Sequence, residues 1–275
     1  MKIMKRLFLT TPLFLLSLLI ASDAHSASRV FYDGFESGNS NLWAQADFRN
    51  MCGVVASAAD GGNTKTGTYM ARCNWNGTLE WNDPARFESL YKSGFSYSNE
   101  ILWRAWIRRD NNLQGGSGPK IWRWNTNGNT FGSLYLDSAT TGGTRHSIYN
   151  GAGNQIGGTY WGGDDAGDRQ WHKLEFYVKI GVSDGIVRYW VDDVMWWEQT
   201  GADTTADWST FYMSSNWSGA DGCCNHDSAN YLYWDEFEIY SDTGSGASGS
   251  MSDGAITVGG GDTTPPAAPT GLGVQ

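Results

Sequence analysis

Alternation of apolar and polar residues is the main pattern between residues 100 and 240. In 101–108 (ILWRAWIR) the odd positions are all apolar, whereas the even positions include Arg104, Trp106 and Arg108. A period of two is that of a β-strand with one buried face. The same region has no long segment with the 3.6-residue period of a helix. The pattern therefore predicts β-structure.

Several further segments show strand patterns. Residues 172–179 (HKLEFYVK) and 186–194 (IVRYWVDDV) alternate in the same way, and Asp184-Gly185 between them predicts a hairpin. Additional strands are predicted at Ser133–Asp137, Arg145–Tyr149, Thr210–Ser215 and Tyr231–Tyr240. Many short strands within about 215 residues predict an all-β fold, a single antiparallel β-sandwich or jelly roll over residues 28–242.

The N-terminus has the pattern of an export signal. Three basic residues (Lys2, Lys5, Arg6) precede the apolar run Leu7–Ile20, and small residues surround Ala24 and Ala27. This order predicts a signal peptide at 1–27. The apolar run is short for a membrane span, although an uncut N-terminal anchor is the alternative. We expect a protein that is secreted, periplasmic or on the cell surface, without membrane contact after cleavage.

Composition argues against two classes of protein, a strongly basic nucleic-acid binder and a largely disordered chain. The chain of 275 residues has 19 basic and 29 acidic side chains and a formal charge of −10, so a strongly basic nucleic-acid binder is excluded. Aromatic residues make up 14% and apolar residues 40%, enough for a sizeable core. Residues 243–275 are rich in Gly, Ser, Thr and Pro and contain no aromatic residue, which is typical of a flexible linker.

Cationic and aromatic residues recur together on the polar faces of the predicted strands. Indole rings stack on sugar rings, while cations bind hydroxyls and select acidic sugars, so this combination predicts a polysaccharide partner, including an acidic one. In 120–124 (KIWRW) both faces are mixed, so either Trp122 or Arg123 points outward. The alternative is that these rings cover the outside of a sheet or lie under a loop. The candidate binding residues are Arg104, Trp106, Arg108, Lys120, Trp122, Arg188 and Trp190.

The four cysteines are expected to form disulfides in an oxidising compartment. Cys52 and Cys73 flank a segment of ordinary loop size and are expected to pair. Cys223 and Cys224 are adjacent, and they form either a vicinal disulfide or two bridges to the first pair. A zinc site lacks the necessary second pair of ligands.

Four segments together resemble the concanavalin A-like lectin/glucanase superfamily, in particular its secreted polysaccharide-lyase-like and carbohydrate-binding members. They are 30–43 (VFYDGFESGNSNLW), 62–77 (GNTKTGTYMARCNWNG), 170–193 (QWHKLEFYVKIGVSDGIVRYWVDD) and 231–242 (YLYWDEFEIYSD). The resemblance implies a jelly roll that binds glycan on its concave sheet as part of a carbohydrate-active protein. Residues 262–275 (DTTPPAAPTGLGVQ) resemble the entry into a fibronectin type III module, which implies further domains in a longer chain.

The resemblance also implies two alternatives. One is a polysaccharide lyase that cleaves a uronate polymer by β-elimination, for which Arg145, His146 and Tyr149 supply a cation and acid/base groups. Alternate residues of a strand face opposite sides, so His146 and Tyr149 share a cleft only if a bulge intervenes. The other is a non-catalytic surface adhesion domain. The Glu-x-Asp-x-x-Glu pattern of laminarinase-type glycosidases is absent from the sequence.

A structural calcium ion is implied in the same way. Its ligands would be Asp33, Glu36, Asn63 and Asp235, which join the first and last strands. The period-two pattern places Asp235 on the buried face with Phe237, where a carboxylate is costly unless it is paired or bound to metal. A hydrogen-bonded turn is the alternative.

Overall fold

The computed structural model describes residues 27–45, 52–60, 63–74, 90–109, 120–126, 129–136, 144–161, 170–215, 231–243 and 251. These residues form two antiparallel sheets, which confirms the predicted all-β sandwich. The eight-stranded sheet has the order β13 (Val194–Ala202), β12 (Gly185–Val191), β11 (His172–Lys179), β6 (Glu100–Arg109), β15 (Tyr231–Ser241), β4 (Tyr69–Asn74) and β3 (Cys52–Ala56), with β1 (Ser28–Asp33) also paired to β15.

The seven-stranded sheet has the order β10 (Gln155–Trp161), β9 (Thr144–Tyr149), β8 (Asn129–Leu136), β7 (Lys120–Thr126), β14 (Phe211–Ser215), β5 (Leu90–Lys92) and β2 (Ala44–Gln45). A short 3-10 turn covers Ser57–Asp60. In the described part of the chain, no helix is long and apolar enough to cross a membrane. The predicted signal peptide and linker lie outside the described residues, apart from Ala27, Thr243 and Met251.

Large aromatic side chains from both sheets fill the space between them. Trp103 on β6 meets Trp124 on β7 with ring centroids 5.3 Å apart, and Trp124 stacks on Phe176 of β11 at 4.3 Å. All three side chains are fully buried. Because aromatic rings bury more apolar area than other side chains, they dominate the stability of this core.

The hairpin predicted at Asp184-Gly185 is confirmed, since β11 pairs with β12 from Leu174↔Val191 to Lys179↔Ile186. The prediction that the second strand continues to Val194 is wrong. Asp192 and Asp193 have φ values of 50° and 67°, and this left-handed pair turns the chain into β13. Aspartate tolerates this conformation better than most residues, so the turn forms without glycine.

The predicted Cys52–Cys73 disulfide is present and joins directly opposed residues of β3 and β4. Cys223 and Cys224 lie outside the described residues. We expect mass spectrometry of a non-reduced digest to show Cys52 linked to Cys73, and a peptide holding Cys223 and Cys224 that is lighter by two hydrogens. A cross-link from Cys223 or Cys224 to either of the first two cysteines would contradict both assignments.

Candidate functional site

Arg104, a predicted glycan contact, is buried in an ion-pair network on the outer face of the eight-stranded sheet. It is 8% exposed, its Nε donates to Glu175 Oε1 at 2.7 Å, and its Nη1 donates to Glu238 Oε2 at 3.3 Å. Arg29 reaches the other oxygen of Glu238 at 3.0 Å. The expectation that Arg104 lies open in a cleft is therefore wrong, because its donors bind two carboxylates of the protein.

The neighbouring candidates on this face also bind protein groups. Arg108 is 8% exposed, and its guanidinium lies over the rings of Tyr233 and Trp171. Trp106 is half-buried beneath the ammonium of Lys65, 3.6 Å from its ring. Arg188 donates from Nε to Glu198. These contacts use the cationic and aromatic surfaces that would otherwise meet a sugar.

Trp190 and Trp122 are buried, so the prediction that they contact glycan is wrong. Trp190 is 3% exposed and belongs to a small second cluster on the outer face of the eight-stranded sheet, formed with Ala27, Leu102, Tyr177, Tyr240 and Met251. Trp122 is fully buried between the sheets, 6.0 Å from Trp234. The question left open for 120–124 is thus answered, because Trp122 is the inward residue. Lys120 lies on the other sheet from Arg104 and Arg188, so these three do not share one groove.

The outer face of the seven-stranded sheet has a different character. Tyr91 on β5 and Tyr212 on β14 are paired residues, and their rings stack with centroids 5.4 Å apart and planes at 27°. Both side chains are partly exposed, whereas Phe211 and Met213 on either side of Tyr212 are fully buried. Alternation along β14 therefore presents two parallel phenol rings on the outside of the sheet.

Strand register extends this tyrosine pair into a row across five strands. Tyr212 is opposite Arg123 on β7, Arg123 is opposite Ser133 on β8, and Ser133 is opposite Ser147 on β9. At the far end, Ser147 Oγ donates to the Tyr149 hydroxyl at 3.1 Å, and Gln155 Nε2 donates to Ser147 Oγ at 3.3 Å. We call these residues the tyrosine row: Tyr91, Tyr212, Arg123, Ser133, Ser147 and Tyr149.

The three candidate lyase residues lie on β9 but are not brought together. Pairing between β8 and β9 is regular from Gly132↔Ile148 to Leu136↔Thr144, so no bulge alters the register of β9. His146 therefore has the register of the buried Ile148, opposite to that of Arg145 and Tyr149. Arg145 and Tyr149 are four residues apart, or about 13 Å along an extended strand. The register of β9 thus separates His146 from the other two residues.

Two of the predicted calcium ligands accept hydrogen bonds from protein donors. Asp33 accepts hydrogen bonds from Phe35 N and from Trp43 Nε1, both at 2.7 Å, and burial raises its pKa. Glu36 accepts from Thr68 N at 2.9 and 3.0 Å and from Tyr69 N at 2.9 Å.

The other two predicted ligands involve the loop before β4, which contains Asn63 and donates hydrogen bonds to Asp235. Asp235 Oδ2 accepts from Lys65 N at 3.0 Å and Thr66 N at 3.1 Å, and its Oδ1 accepts from Glu236 N at 2.8 Å. The carbonyl oxygen of Asn63 accepts from Trp171 Nε1 at 2.8 Å. Within the described residues, no three acidic, histidine or cysteine side chains are close enough to hold a metal ion. Calcium therefore stays a prediction from sequence.

Asp235 is buried, as predicted, but not with Phe237. A bulge between Asp235 and Glu238, where Glu236 has φ of 49°, changes the phase of β15. Asp235 therefore pairs with Trp106 on the outer face, and the loop at Lys65–Thr66 covers it. A single residue in the left-handed conformation makes the simple period-two pattern fail here.

The pH dependence of stability distinguishes the hydrogen-bonded arrangement from a bound cation. Burial raises the pKa of Asp235 to about 7, against the lowering effect of the N–H donors. A raised carboxyl pKa means that the folded state holds a proton that the unfolded state releases near pH 4, so stability falls as the pH rises from about 4 to 7. With chelator present, we expect the melting midpoint of Asp235→Asn relative to wild type to increase across this range. A relative midpoint that decreases with pH, together with a rise on adding Ca2+, would show a bound cation instead.

The sequence matches no protein-family model and no curated protein. Among solved structures, the cellulose-induced protein Cip1 is similar, with a TM-score of 0.52 and 13% identity over 78% of this chain and 100% of that protein. A β-glucanase from Bacillus licheniformis gives 0.46 and 14% over 77% and 97%, respectively, and an alginate lyase from Aplysia kurodai gives 0.42 and 15% over 64% and 84%. The similarity to Cip1 shows the fold.

Sequence reasoning missed Tyr91 and Tyr212. The strand at Thr210–Ser215 was predicted, and its alternation of Phe211, Tyr212 and Met213 carried a signal, because a tyrosine between two apolar residues of a strand has the outward register. Tyr91 gave no comparable signal, since β5 has only three residues.

Proposed function

We propose that this domain binds polysaccharide on the outer face of the seven-stranded sheet, as a secreted recognition module. The observation that carries the proposal is the stacked Tyr91–Tyr212 pair, which lies partly exposed on a sheet face. Parallel rings of this kind offer flat apolar surfaces to the C–H faces of pyranose rings. The hydroxyl group at the edge of each ring can form a hydrogen bond with a hydroxyl group of the bound sugar.

The length of the tyrosine row suits a polymer better than a single sugar. Neighbouring strands are about 4.8 Å apart, so a row across five strands extends about 19 Å, which is the length of several sugar units. Hydroxyl groups of Ser147 and Tyr149 continue the polar character at the far end. A segment of polysaccharide could therefore contact aromatic and polar groups at once.

Cationic residues in this sheet favour an acidic polymer. Arg123 lies opposite Tyr212 in the row, and Arg145 lies opposite Tyr135 on β8, in the register shared by Ser133. Guanidinium groups bind carboxylates in a bidentate manner, which selects uronates over neutral sugars. Secretion is part of the proposal, supported by the predicted signal peptide and by the Cys52–Cys73 disulfide.

Affinity electrophoresis tests this proposal. The purified domain is run through gels that contain alginate, polygalacturonate, glucuronan, xylan or cellulose derivatives, and we expect retention by at least one acidic polymer. Retention should weaken with salt, because the contacts include charges. Migration equal to that in an empty gel with every polymer would contradict the proposal.

Absorbance near 235 nm separates binding from lyase chemistry, since β-elimination produces an unsaturated uronate. Because the register of β9 separates His146 from Tyr149, and four residues separate Arg145 from Tyr149, we expect no increase with a polymer that is retained. An increase that is lost in Tyr149→Phe would replace the binding proposal with a lyase.

A further inference from the structure

A polar cleft lies at the edge of the sandwich, where β10 of one sheet meets β13 of the other. Its volume is about 290 Å3, close to the lower end of the range for small-ligand sites. Amide and carboxylate side chains form most of the lining, namely Asn150, Asn154, Gln155, Gln199 and Asp203. This cleft is separate from the tyrosine pair, because β14 and β5 lie four and five strands away from β10 in the seven-stranded sheet.

A bulge in β10 creates the cleft. The pairing with β9 shifts between Ile156 and Tyr160, and Gly157 and Gly158 within the bulge have φ values of 69° and 83°. A Cβ atom at Gly157 would lie 2.7 Å from Gln199 Oε1 and 2.9 Å from Trp197 Cζ2. Only glycine combines this backbone conformation with such a close approach, so the bulge brings the backbone of β10 against the side chain of Gln199.

The base of the cleft is held rigidly. Asn150 is 2% exposed, its Nδ2 donates to Asp203 Oδ2 at 2.8 Å, and its Oδ1 accepts from Ala152 N and Asn154 N. Hydrogen bonds from Thr205 lower the pKa of Asp203, so this side chain is an anion at neutral pH. Fixed polar groups of this kind bind a ligand without a large cost of ordering.

Two side-chain amides offer hydrogen-bonding groups to a ligand in the cleft. Gln199 donates from Nε2 to the carbonyl of Thr200 at 2.9 Å, which orients the group and leaves Oε1 to accept a hydrogen bond. The side chain of Asn154 is exposed at the rim and offers both a donor and an acceptor. Ile156 and Ala202 add an apolar patch to the wall. Acceptors, an amide donor and a small apolar patch together match the hydroxyls and C–H groups of a sugar ring.

We propose that this cleft is a second carbohydrate site, which binds one or two units of a neutral sugar. The charge of the lining selects the class of ligand. Its described residues include the anionic Asp203 and no lysine, arginine or histidine, so a uronate or a sulfated sugar would be repelled. The site deepens the proposed function by adding a neutral subsite, and it rests on that function only for the idea that the ligand is part of a polysaccharide.

Ligand-detected NMR and titration calorimetry with cellobiose, mannobiose and galactobiose test the cleft, with digalacturonate as the charged comparison. We expect one neutral disaccharide to bind wild type with a millimolar dissociation constant. Gln199→Ala and Asn154→Ala should each weaken it about five- to tenfold, because each removes one or two hydrogen bonds. Thr200→Ala is the matched control, since Thr200 is an exposed neighbour of Gln199 with the opposite register on β13.

The same experiment separates this site from the tyrosine row. Tyr212→Ala should leave disaccharide binding unchanged, whereas Gln199→Ala should leave retention of an acidic polymer unchanged. The cleft proposal is overturned if no neutral disaccharide binds, if Gln199→Ala binds as well as wild type, or if digalacturonate binds more tightly than the neutral sugars. Polymer retention by Tyr212→Ala tests only the proposed function, and its result neither supports nor overturns the cleft proposal.

Discussion

Arg104→Met is expected to lower the free energy of unfolding by about 3 to 5 kcal/mol, the range for removing one partner of a buried ion pair. Glu175 is 0% exposed, and its strongest contacts are with the guanidinium of Arg104 at 2.7 Å. Without Arg104, the cation that Glu175 keeps among the described residues is the more distant Lys173, whose Nζ is 3.6 Å away. Urea unfolding of the variant and of wild type, monitored by tryptophan fluorescence, measures the difference.

A double variant provides the control for this interpretation. Arg104→Met combined with Glu175→Gln removes the unpaired charge, so it should recover a large part of the lost stability. Polymer retention by folded Arg104→Met should equal that of wild type, because Arg104 is buried on the eight-stranded sheet. If Arg104→Met lowers the free energy of unfolding by less than about 1 kcal/mol, or if it has normal stability and reduced polymer retention, Arg104 is accessible to ligand.

Replacing both Tyr91 and Tyr212 with alanine is expected to weaken polysaccharide binding by about 1 to 3 kcal/mol, equivalent to roughly 5- to 150-fold. We assign glycan contact to this stacked pair, and removing both rings prevents one from compensating for the other. Affinity electrophoresis at several polymer concentrations gives the change in the dissociation constant. The melting midpoint should change little, since both side chains are partly exposed.

Tyr231→Ala is the matched control for the double variant. Tyr231 is also a partly exposed tyrosine with a ring neighbour, Tyr233 at 6.0 Å, and a cation, Arg72, at 4.4 Å. It lies on β15 of the eight-stranded sheet, so its loss should not alter retention. Equal weakening by Tyr231→Ala and by the double variant would mean that binding does not depend on which sheet is altered.

The fold could be predicted from the sequence because its signals are local. Alternation in 101–108 and 172–179 identified two central strands, Asp184-Gly185 identified their hairpin neighbour, and the spacing of Cys52 and Cys73 identified the disulfide. Each of these depends on a few consecutive residues or on simple loop closure. The turn at Asp192-Asp193 was missed because residues other than glycine adopt the left-handed conformation there.

The candidate site could not be predicted in the same way, because it depends on which sheet face meets other parts of the chain. Arg104 and Trp190 have the outward register expected of them, yet Glu175, Glu238 and Met251 cover them from distant positions in the sequence. Tyr91 and Tyr212 are 121 positions apart and meet only through the pairing of β5 with β14. Alternation shows that a residue points away from the core, but it does not show whether anything else packs on it.

Footprinting of tyrosine side chains shows which sheet face the glycan covers. The folded domain is treated with a tyrosine-nitrating reagent, with and without a polymer that retains it, and nitration is quantified by mass spectrometry of the digest. We predict that polymer protects Tyr91 and Tyr212 and leaves Tyr231 unchanged. Protection of Tyr231 with full reactivity at Tyr91 and Tyr212 would contradict the assignment and place the glycan on the eight-stranded sheet.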